Sequence, residues 1–566
     1  MAEKKQKVEK ICLSTVKSRG WTPALIDELL PEPELVRNPH YRSASEMKLW
    51  NLDDVIKAEE NEKFKEFYAK KMARKQKAFE KKQKELEFLV KDINIHNPAL
   101  DYSLARKIDR HFILNIGPTN SGKTYTALQA LKKAESGTYL APLRLLAMEI
   151  QDKMLDEGIP CSMVTGEEEN IIPGAKLISS TVEMINTNIV YEIGIIDECQ
   201  MITDEHRGGA WTKAILGLAA ETIYLCMSPS AKDICIKLIE MCGDTYEINQ
   251  CERTTPIKIE NPIKRWDIKK NDAIIFFSRR DVLQFADEIK LYGLKASVIY
   301  GALPYKSRKK QVDLYNSGET DVIVSTDAIG MGMNLPIKRV VFARNTKYDG
   351  YWTRPLLEEE VKQIAGRAGR QGIFDEGFAT CFKDLENKRF ISKTLNEAPQ
   401  QIQKAFIPFP EEILKNNPQK TSEIIKKWEE VQYPDMFKKQ NMDAISYRVK
   451  YIEKKYPELD NAIVFKLSTI MFDDKLETLT IRWKNYVKKF VNNETIEIPT
   501  THATTLQDYE YKYKEMDLYY SFNRTMKLPM DINMIAEEKE NIVEKINSFL
   551  VIKKKKGENN VNKKSS

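Results

Sequence analysis

The octapeptide GPTNSGKT, Gly117 through Thr124, carries two glycines, a lysine and a threonine at the spacing of a phosphate-binding loop. In such a loop backbone N–H groups cradle phosphate oxygens, the lysine reaches the β and γ oxygens, and the last hydroxyl ligates Mg²⁺. Lys123 and Thr124 take those two roles here, and Pro118, Thr119, Asn120 and Ser121 complete the expected nucleotide contacts between Gly117 and Gly122. The apolar run FILNIG leads into Gly117 and the breaker-free run KTYTALQALKKA leads away from it, so the loop is expected between a buried strand and a helix. A second apolar run, YEIGII, ends in Asp197 and Glu198, at the carboxyl end of a strand where open α/β sheets bind ligands. Asp197 is placed to hold Mg²⁺, and Glu198 to orient or deprotonate an attacking water.

Positive charge for a transferring phosphoryl group is expected from QIAGRAGR, residues 363–370. Arg367 and Arg370 are three apart and share a helical face, an arrangement an anion stabilises. An arginine finger accelerates phosphoryl transfer by roughly 10³ to 10⁵. Gln363, one turn earlier, could contact the γ-phosphate or its water, and Gly366 and Gly369 suit a close backbone approach. Five further segments put Ser, Thr, Gly or Arg just after a strand: APLRLLA, VTGEE, SSTVEM, FFSRRDV and VSTDAIGMGMNL. Each alone reads as a helix cap, and together they suit a grip on backbone phosphates.

The elements that must position these groups fall into two sets. HFILNI, TYLA, KLIS, YEIGII and TIYLCM form the first, and AIIFFS, ASVIY, DVIVS and RVVFA the second. Alternation of such runs with helical stretches predicts two successive α/β domains with parallel sheets, covering 106–258 and 259–390. Because the loop and the arginines lie in different domains, turnover is expected to require closure of the cleft between them. Residues 1–105 read as a highly charged helical region. It holds a helix opening at Thr22 and Pro23 with Trp21 stapled onto Ile26, then one long helix from Asp54 to Val90 in which Met72, Phe79 and Leu86 recur every seven residues. That long helix fits a solvated helix or a nucleic-acid or partner arm. Residues 391–552 read as helical, and the basic tail 553–566 as disordered.

Lys and Arg number 89 against 83 Asp and Glu, a net charge of +6 that argues only weakly for a polyanionic partner. Eight cysteines without a C-x-x-C pair, and five histidines, suggest neither a zinc site nor a disulfide framework. No run approaches the ~18 apolar residues of a membrane span, so no membrane partner is expected. The opening MAEKKQKVEK mixes acids with lysines, unlike a signal or transit peptide, and the expected location is the cytoplasm.

In order, GPTNSGKT, APLRLLA, VTGEE, DECQ, IYGALPY, STDAIGMGMNL and QIAGRAGR resemble the motif set of superfamily-two DExH helicases, and more narrowly the suppressor-of-var RNA helicases of the mitochondrial degradosome and their bacterial relatives. IIDECQMITDEHRGGAWTKAILGLAAETIYLC extends the likeness, with Arg207 and Trp211, and DLYYSFNRTMKLP is a weaker C-terminal echo. The resemblance implies two RecA-like P-loop domains with ATP and Mg²⁺ in their cleft, a single strand across both, 3′ to 5′ movement, RNA in preference to DNA, and an exoribonuclease partner. It further implies that Asp327 and Gly330 touch the nucleotide, and that Pro142, Arg144, Thr165, Gly166, Ser180, Thr181, Ser278, Arg279, Gly301 and Thr326 hold the strand. The same motifs fit a DNA helicase, a double-stranded DNA translocase or an ATP-gated nucleic-acid clamp. Three departures stand out. Cys199 replaces an aliphatic residue, CMSPSA at 226–231 replaces a Gly-acidic-Pro motif, and no aromatic-plus-Gln adenine-reading motif precedes the loop. The second puts the coupling of hydrolysis to strand separation in doubt.

Overall fold

The computed structural model describes residues 9–37, 46–91, 93–330, 335–350, 352–370, 372–382, 384–415 and 417–550. The basic tail 553–566, most of MAEKKQKVEK and part of STDAIGMGMNL lie outside the described residues. The chain divides into two compact units, Met1–Lys91 and Asp92–Ser566.

In the first unit, strands Lys10–Cys12, Glu34–Val36 and Met47–Asn51 form an antiparallel sheet with the last in the middle. This corrects the expectation of a wholly helical region. Strands of three to five residues are too short for alternation to stand out among charges. Helix Pro23–Leu29 has Thr22 at its N-cap position and proline at its start, and Trp21 and Ile26 share a buried cluster with Trp50 and Phe64. The single long helix is instead two, Leu52–Glu59 and Glu62–Val90. Asn61 breaks it, because its backbone is extended and its side chain accepts from the Lys63 N–H at 2.9 Å, capping the second helix. Met72 is 41% exposed, so it packs no stripe; the side chain of Phe79 lies outside the described set.

In the second unit, residues 93–110 belong with the first α/β domain and not with the N-terminal region. Arg106 donates to the Leu216 carbonyl at 3.1 Å, Arg110 to that of Leu218 at 2.8 Å, and both guanidinium groups face Asp244. The domain is built on β1 (His111–Ile116), α1 (Lys123–Leu131), β2 (Gly137–Ala141), α2 (Arg144–Asp156), β3 (Cys161–Val164), β4 (Leu177–Thr181), β5 (Tyr191–Ile196), α3 (Gly208–Gly217), β6 (Ala220–Met227) and β7 (Thr245–Gln250). Its strands run parallel in the order β7-β1-β6-β5-β2-β4-β3, and the short strand Glu169–Asn170 pairs antiparallel at the far edge. The inner strands are buried on both faces, which is why they read as continuous apolar runs.

A linker leads to the second sheet, formed by β8 (Ile257–Ile259), β9 (Asp272–Ile275), β10 (Ala296–Ile299), β11 (Val322–Ser325), β12 (Arg339–Phe342) and β13 (Gly377–Cys381). It is parallel throughout, in the order β8-β13-β12-β9-β11-β10. β8 begins before residue 259, so the second sheet starts slightly earlier than the expected boundary. Helix α4 (Glu358–Ala365) leads into the arginines and packs beneath this sheet through Val361, Ile364 and Ala365. The C-terminal region is helical except for a parallel pair, Ala405–Ile407 with Phe437–Lys439, and ends in α5 (Leu506–Thr525) and α6 (Ile532–Leu550). Two architectural expectations therefore hold in this structure: tandem parallel α/β sheets, and helical flanks on the C-terminal side.

Trp211 on α3 is fully buried, and its indole N–H donates to the Asp197 carbonyl at 2.9 Å. Trp211→Phe keeps most of the ring and leaves that carbonyl unpaired. Urea denaturation should record a loss of about 1 to 3 kcal/mol.

Candidate active site

The phosphate loop is positioned by neighbouring backbone. Gly117 donates its N–H to the Met227 carbonyl at 3.1 Å, and Cys251 donates to that of Ile116 at 2.7 Å. A Cβ at Gly117 would meet the Cys251 oxygen at 2.1 Å, which excludes any side chain. Asn120 (φ 64°) and Gly122 (φ 81°) turn the chain into α1. Lys123, 9% exposed, donates from Nζ to the carbonyls of Gly117 at 2.8 Å and Pro118 at 2.7 Å, and the Ser121 hydroxyl donates to the latter at 2.9 Å.

Asp197 stands at the end of β5, facing this loop. The Thr124 hydroxyl lies 3.1 and 3.2 Å from its two carboxylate oxygens, the Tyr139 hydroxyl donates to it at 2.7 Å, and the Glu198 N–H at 2.9 Å. Burial, and then the neighbouring Glu198 charge, push the Asp197 carboxyl up to about 6. A buried carboxylate beside a hydroxyl is an all-oxygen donor set, which fits a hard cation such as Mg²⁺. Glu198 adopts left-handed backbone (φ 51°), a conformation that costs about 1 to 3 kcal/mol and clusters at functional sites.

The second sheet brings its groups to the same cleft. Arg367 donates from Nε and a terminal nitrogen to the Gly330 carbonyl at 3.2 and 2.7 Å. Burial lowers its pKa, and the nearby charges of Glu198, Glu149 and Asp197 oppose that shift. Gln363 lies against Gly330, and Asp327 is paired with Lys347 at 2.8 Å. Arg370 follows at the end of the segment, its pKa lowered by burial. A Cβ on Gly366 would meet Thr119 Cβ at 2.7 Å, the close backbone approach expected of this glycine.

One residue of this seam escaped the sequence reading. Arg253, in the linker, donates to the carbonyls of Thr119 (3.1 Å), Gly366, Ala368 and Gly369 (3.4 Å), and is braced on Thr255 (2.6 Å). It thereby caps the carbonyl end of the arginine-bearing segment while holding the phosphate loop. Asn120 adds a bond to the Gly369 carbonyl at 3.2 Å. The available signal was an arginine placed directly after the last strand of the first sheet.

The expected strand-binding residues are more dispersed in role. Arg144 is engaged by Asp517 (3.1 Å), Glu168 (3.3 Å) and the Tyr513 hydroxyl (2.8 Å), and Arg279 by Glu510 (2.9 Å), all but Glu168 on α5. The carbonyls of Thr165 and Gly166 accept from Arg524 and Ser521 of the same helix. Thr165 is fully buried with its hydroxyl on the Glu168 carbonyl (2.8 Å), and Ser278 caps its helix by accepting from the Asp281 N–H (3.0 Å). These two have turn and cap roles, as their local sequence also allowed. The Pro142 carbonyl accepts from Arg207 (2.6 Å), the Gly301 carbonyl from Arg308 (2.5 Å), and the Thr326 hydroxyl from the Ala328 N–H (3.2 Å). Ser180 and Thr181 end β4, both buried. Beside Glu167 opens a cavity of about 580 Å³, lined by Arg207, Lys213, Arg448 and Lys514, by Phe409 and Phe472, and by Glu183, Asp473 and Asp517.

Residues 98–251 match the DEXQ-box helicase domain of Suv3, and residues 258–372 the helicase conserved C-terminal domain. With the two parallel sheets and the shared cleft, these matches make residues 98–372 similar to a superfamily-two helicase core of the Suv3 type. The mitochondrial DExH-box ATP-dependent RNA helicase DExH18 of Arabidopsis thaliana is 41% identical over 338 residues, 58% of this chain and 43% of that protein. The mitochondrial ATP-dependent RNA helicase SUV3 of Saccharomyces cerevisiae is 41% identical over 334 residues, 56% of this chain and 45% of that protein. The chain thus spans a little under half the length of these relatives. Their names also overturn the expected cytoplasmic location, since each is a mitochondrial protein.

Two measurements follow from this geometry. Arg253→Ala leaves several carbonyls without their donor, and urea denaturation should record about 1 to 3 kcal/mol of destabilisation. Burial raises the Glu149 carboxyl to about 7, above its value in the unfolded chain, so its stabilising share is complete below about pH 4.5 and is lost as pH rises through about 7. Glu149→Gln should therefore flatten stability over that window, unfolding at higher denaturant than the unaltered chain at pH 8 and matching it at pH 4.

Proposed function

We propose that this chain is an ATP-driven motor that moves along single-stranded RNA, 3′ to 5′, and separates duplexes. The observation that carries the reading is the meeting of the phosphate loop with the arginine-bearing segment of the second domain, where Arg253 bridges the Thr119 and Gly366 carbonyls and Asn120 bonds the Gly369 carbonyl. Lys123 and the loop N–H groups hold the phosphates of ATP, and Thr124 with Asp197 would hold Mg²⁺, which would neutralise phosphate charge. Glu198 accepts the proton of the attacking water, Arg367 and Arg370 stabilise charge on the transferring group, and Gln363 orients it. Asp327 and Gly330 complete the nucleotide site from the second domain. Hydrolysis then needs a closed cleft, so each turnover is coupled to movement between the two sheets.

The names of the relatives support RNA as the track and the mitochondrion as the location. Polarity and an exoribonuclease partner rest on the resemblance. The cavity beside Glu167 sets Arg207, Lys213, Arg448 and Lys514 and the rings of Phe409 and Phe472 among acidic side chains, and those cations and rings are the groups that would hold the phosphates and bases of a single strand without reading sequence. Arg144 adjoins the cavity through its ion pair with Asp517.

Steady-state ATP hydrolysis should be measured with no polymer, single-stranded RNA, single-stranded DNA and duplex DNA at one salt concentration. Strong stimulation by single-stranded RNA is expected, with Glu198→Gln inactive and Arg367→Ala slower by about 10³ or more. Stimulation by DNA alone would make the protein a DNA helicase or translocase. Flat rates across all four would leave a nucleic-acid clamp. Normal turnover in Arg367→Ala would separate the second domain from the hydrolysis site.

A further inference from the structure

The turn leaving β6, Ser228–Ala231, belongs to the segment singled out for lacking an acidic residue. β6 lies between β1 and β5, so this turn emerges between the phosphate loop and Asp197–Glu198. Its hydrogen bonds form one continuous path. The Gln200 side-chain amide donates to the Glu198 carboxylate, and its oxygen accepts from the Ser228 N–H at 3.0 Å. The hydroxyls of Ser228 and Ser230 are 2.6 Å apart, and that of Ser230 donates to the Glu359 carboxylate, which Ser228 also reaches. From the other side, Gln401 donates to the Pro229 carbonyl at 3.0 Å and Ile402 to that of Ser230 at 2.8 Å.

Glu359 lies in the first turn of α4, one turn before Gln363 on the same helical face, and α4 leads through Gly366 into Arg367. Burial raises its pKa, and the Ser230 hydrogen bond lowers it. The buried carboxyl group is answered by the two serine hydroxyls, which hold it against the turn. The direction of the path is also fixed. A backbone N–H can only donate, so the Gln200 oxygen must face Ser228 and its nitrogen must face Glu198.

We infer that Glu359 is a positioning residue, which supplies from the second domain the carboxylate that the first-domain turn lacks and ties the Glu198 side chain to the helix that bears Gln363 and leads into Arg367. The inference rests on the helicase reading above. In hydrolysis the oxygen of water bonds to the γ-phosphorus, the bond to the β-phosphate oxygen breaks, and the water proton passes to Glu198. The path from Glu198 through Gln200, Ser228 and Ser230 to Glu359 holds that acceptor in place relative to α4 and transmits movement of α4 to it.

The test moves the carboxylate across the interface in the full chain. Glu359→Ser removes it, Ser228→Asp sets two carboxylates face to face, and the double variant restores one. Each single variant should lower polymer-stimulated kcat at least tenfold, with polymer-free hydrolysis and the KM for ATP within threefold of the unaltered protein. The double variant should return to within threefold. A single variant within twofold of the unaltered protein overturns the inference, as does a double variant no better than the worse single. Should Glu359→Ser fail to fold, Glu359→Gln keeps the shape without the charge, and stimulation within twofold in that variant overturns the inference equally. If the unaltered chain shows no stimulated turnover, the helicase reading falls and this inference with it; normal turnover both there and in Glu359→Ser removes the inference alone.

Discussion

The arrangement depends on one close approach, in which the segment after α4 lies with its backbone against the phosphate loop. Gly366 permits it, because a side chain there would collide with Thr119. Arg253 holds it, because a guanidinium presents five donors in a fixed fork and here meets carbonyls from both sides of the seam. The carbonyls at the end of a helix have no partners within it and carry partial negative charge. A cation there answers both conditions, and it places Arg367 between two anchored neighbours.

The cleft collects charge in a poorly hydrated space, and its stability depends on how each charge is answered. Asp197 is met by two hydroxyls and an N–H, Lys123 by two carbonyls, and Glu359 by two serines. None of these is a close ion pair, so the charges of Asp197 and Lys123 remain available to a ligand while Glu359 is held by the turn after β6. Arg367 is buried, and the charges of Glu198, Glu149 and Asp197 favour its charged form against that burial. The left-handed backbone of Glu198 is a further local expense, tolerated because the end of β5 and the Trp211 bond hold the residues before it and the 3₁₀ turn Cys199–Thr203 holds those after it.

Helix α5 adds a link at a distance from the nucleotide cleft. Its Asp517, Ser521 and Arg524 meet the first domain at Arg144, Gly166 and Thr165, and its Glu510 meets the second at Arg279 and Tyr300. Any movement between the two sheets therefore works against one rigid helix. In the proposed motor, that helix forms a wall of the strand path and carries the two sheets in register.

The sequence by itself determined the parts whose atoms are adjacent in the chain. The loop Gly117–Thr124, the pair Asp197–Glu198 and the spacing of Gln363, Arg367 and Arg370 were legible because the chemistry of each needs only a few consecutive residues and the strand or helix beside them. The tandem sheets were legible because strands buried on both faces must be continuously apolar. Three-residue strands in the first unit and the break at Asn61 were not, since neither produces a period long enough to rise above charged surroundings. Tertiary structure alone decided which groups meet across the seam. Arg253 reaches Thr119 over 134 residues and Ser230 reaches Glu359 over 129, and no local pattern encodes a partner at that separation. The local partners of the Thr165 and Ser278 hydroxyls were decided in the same way, because a hydroxyl bonds to whichever acceptor or donor the folded chain brings within about 3 Å.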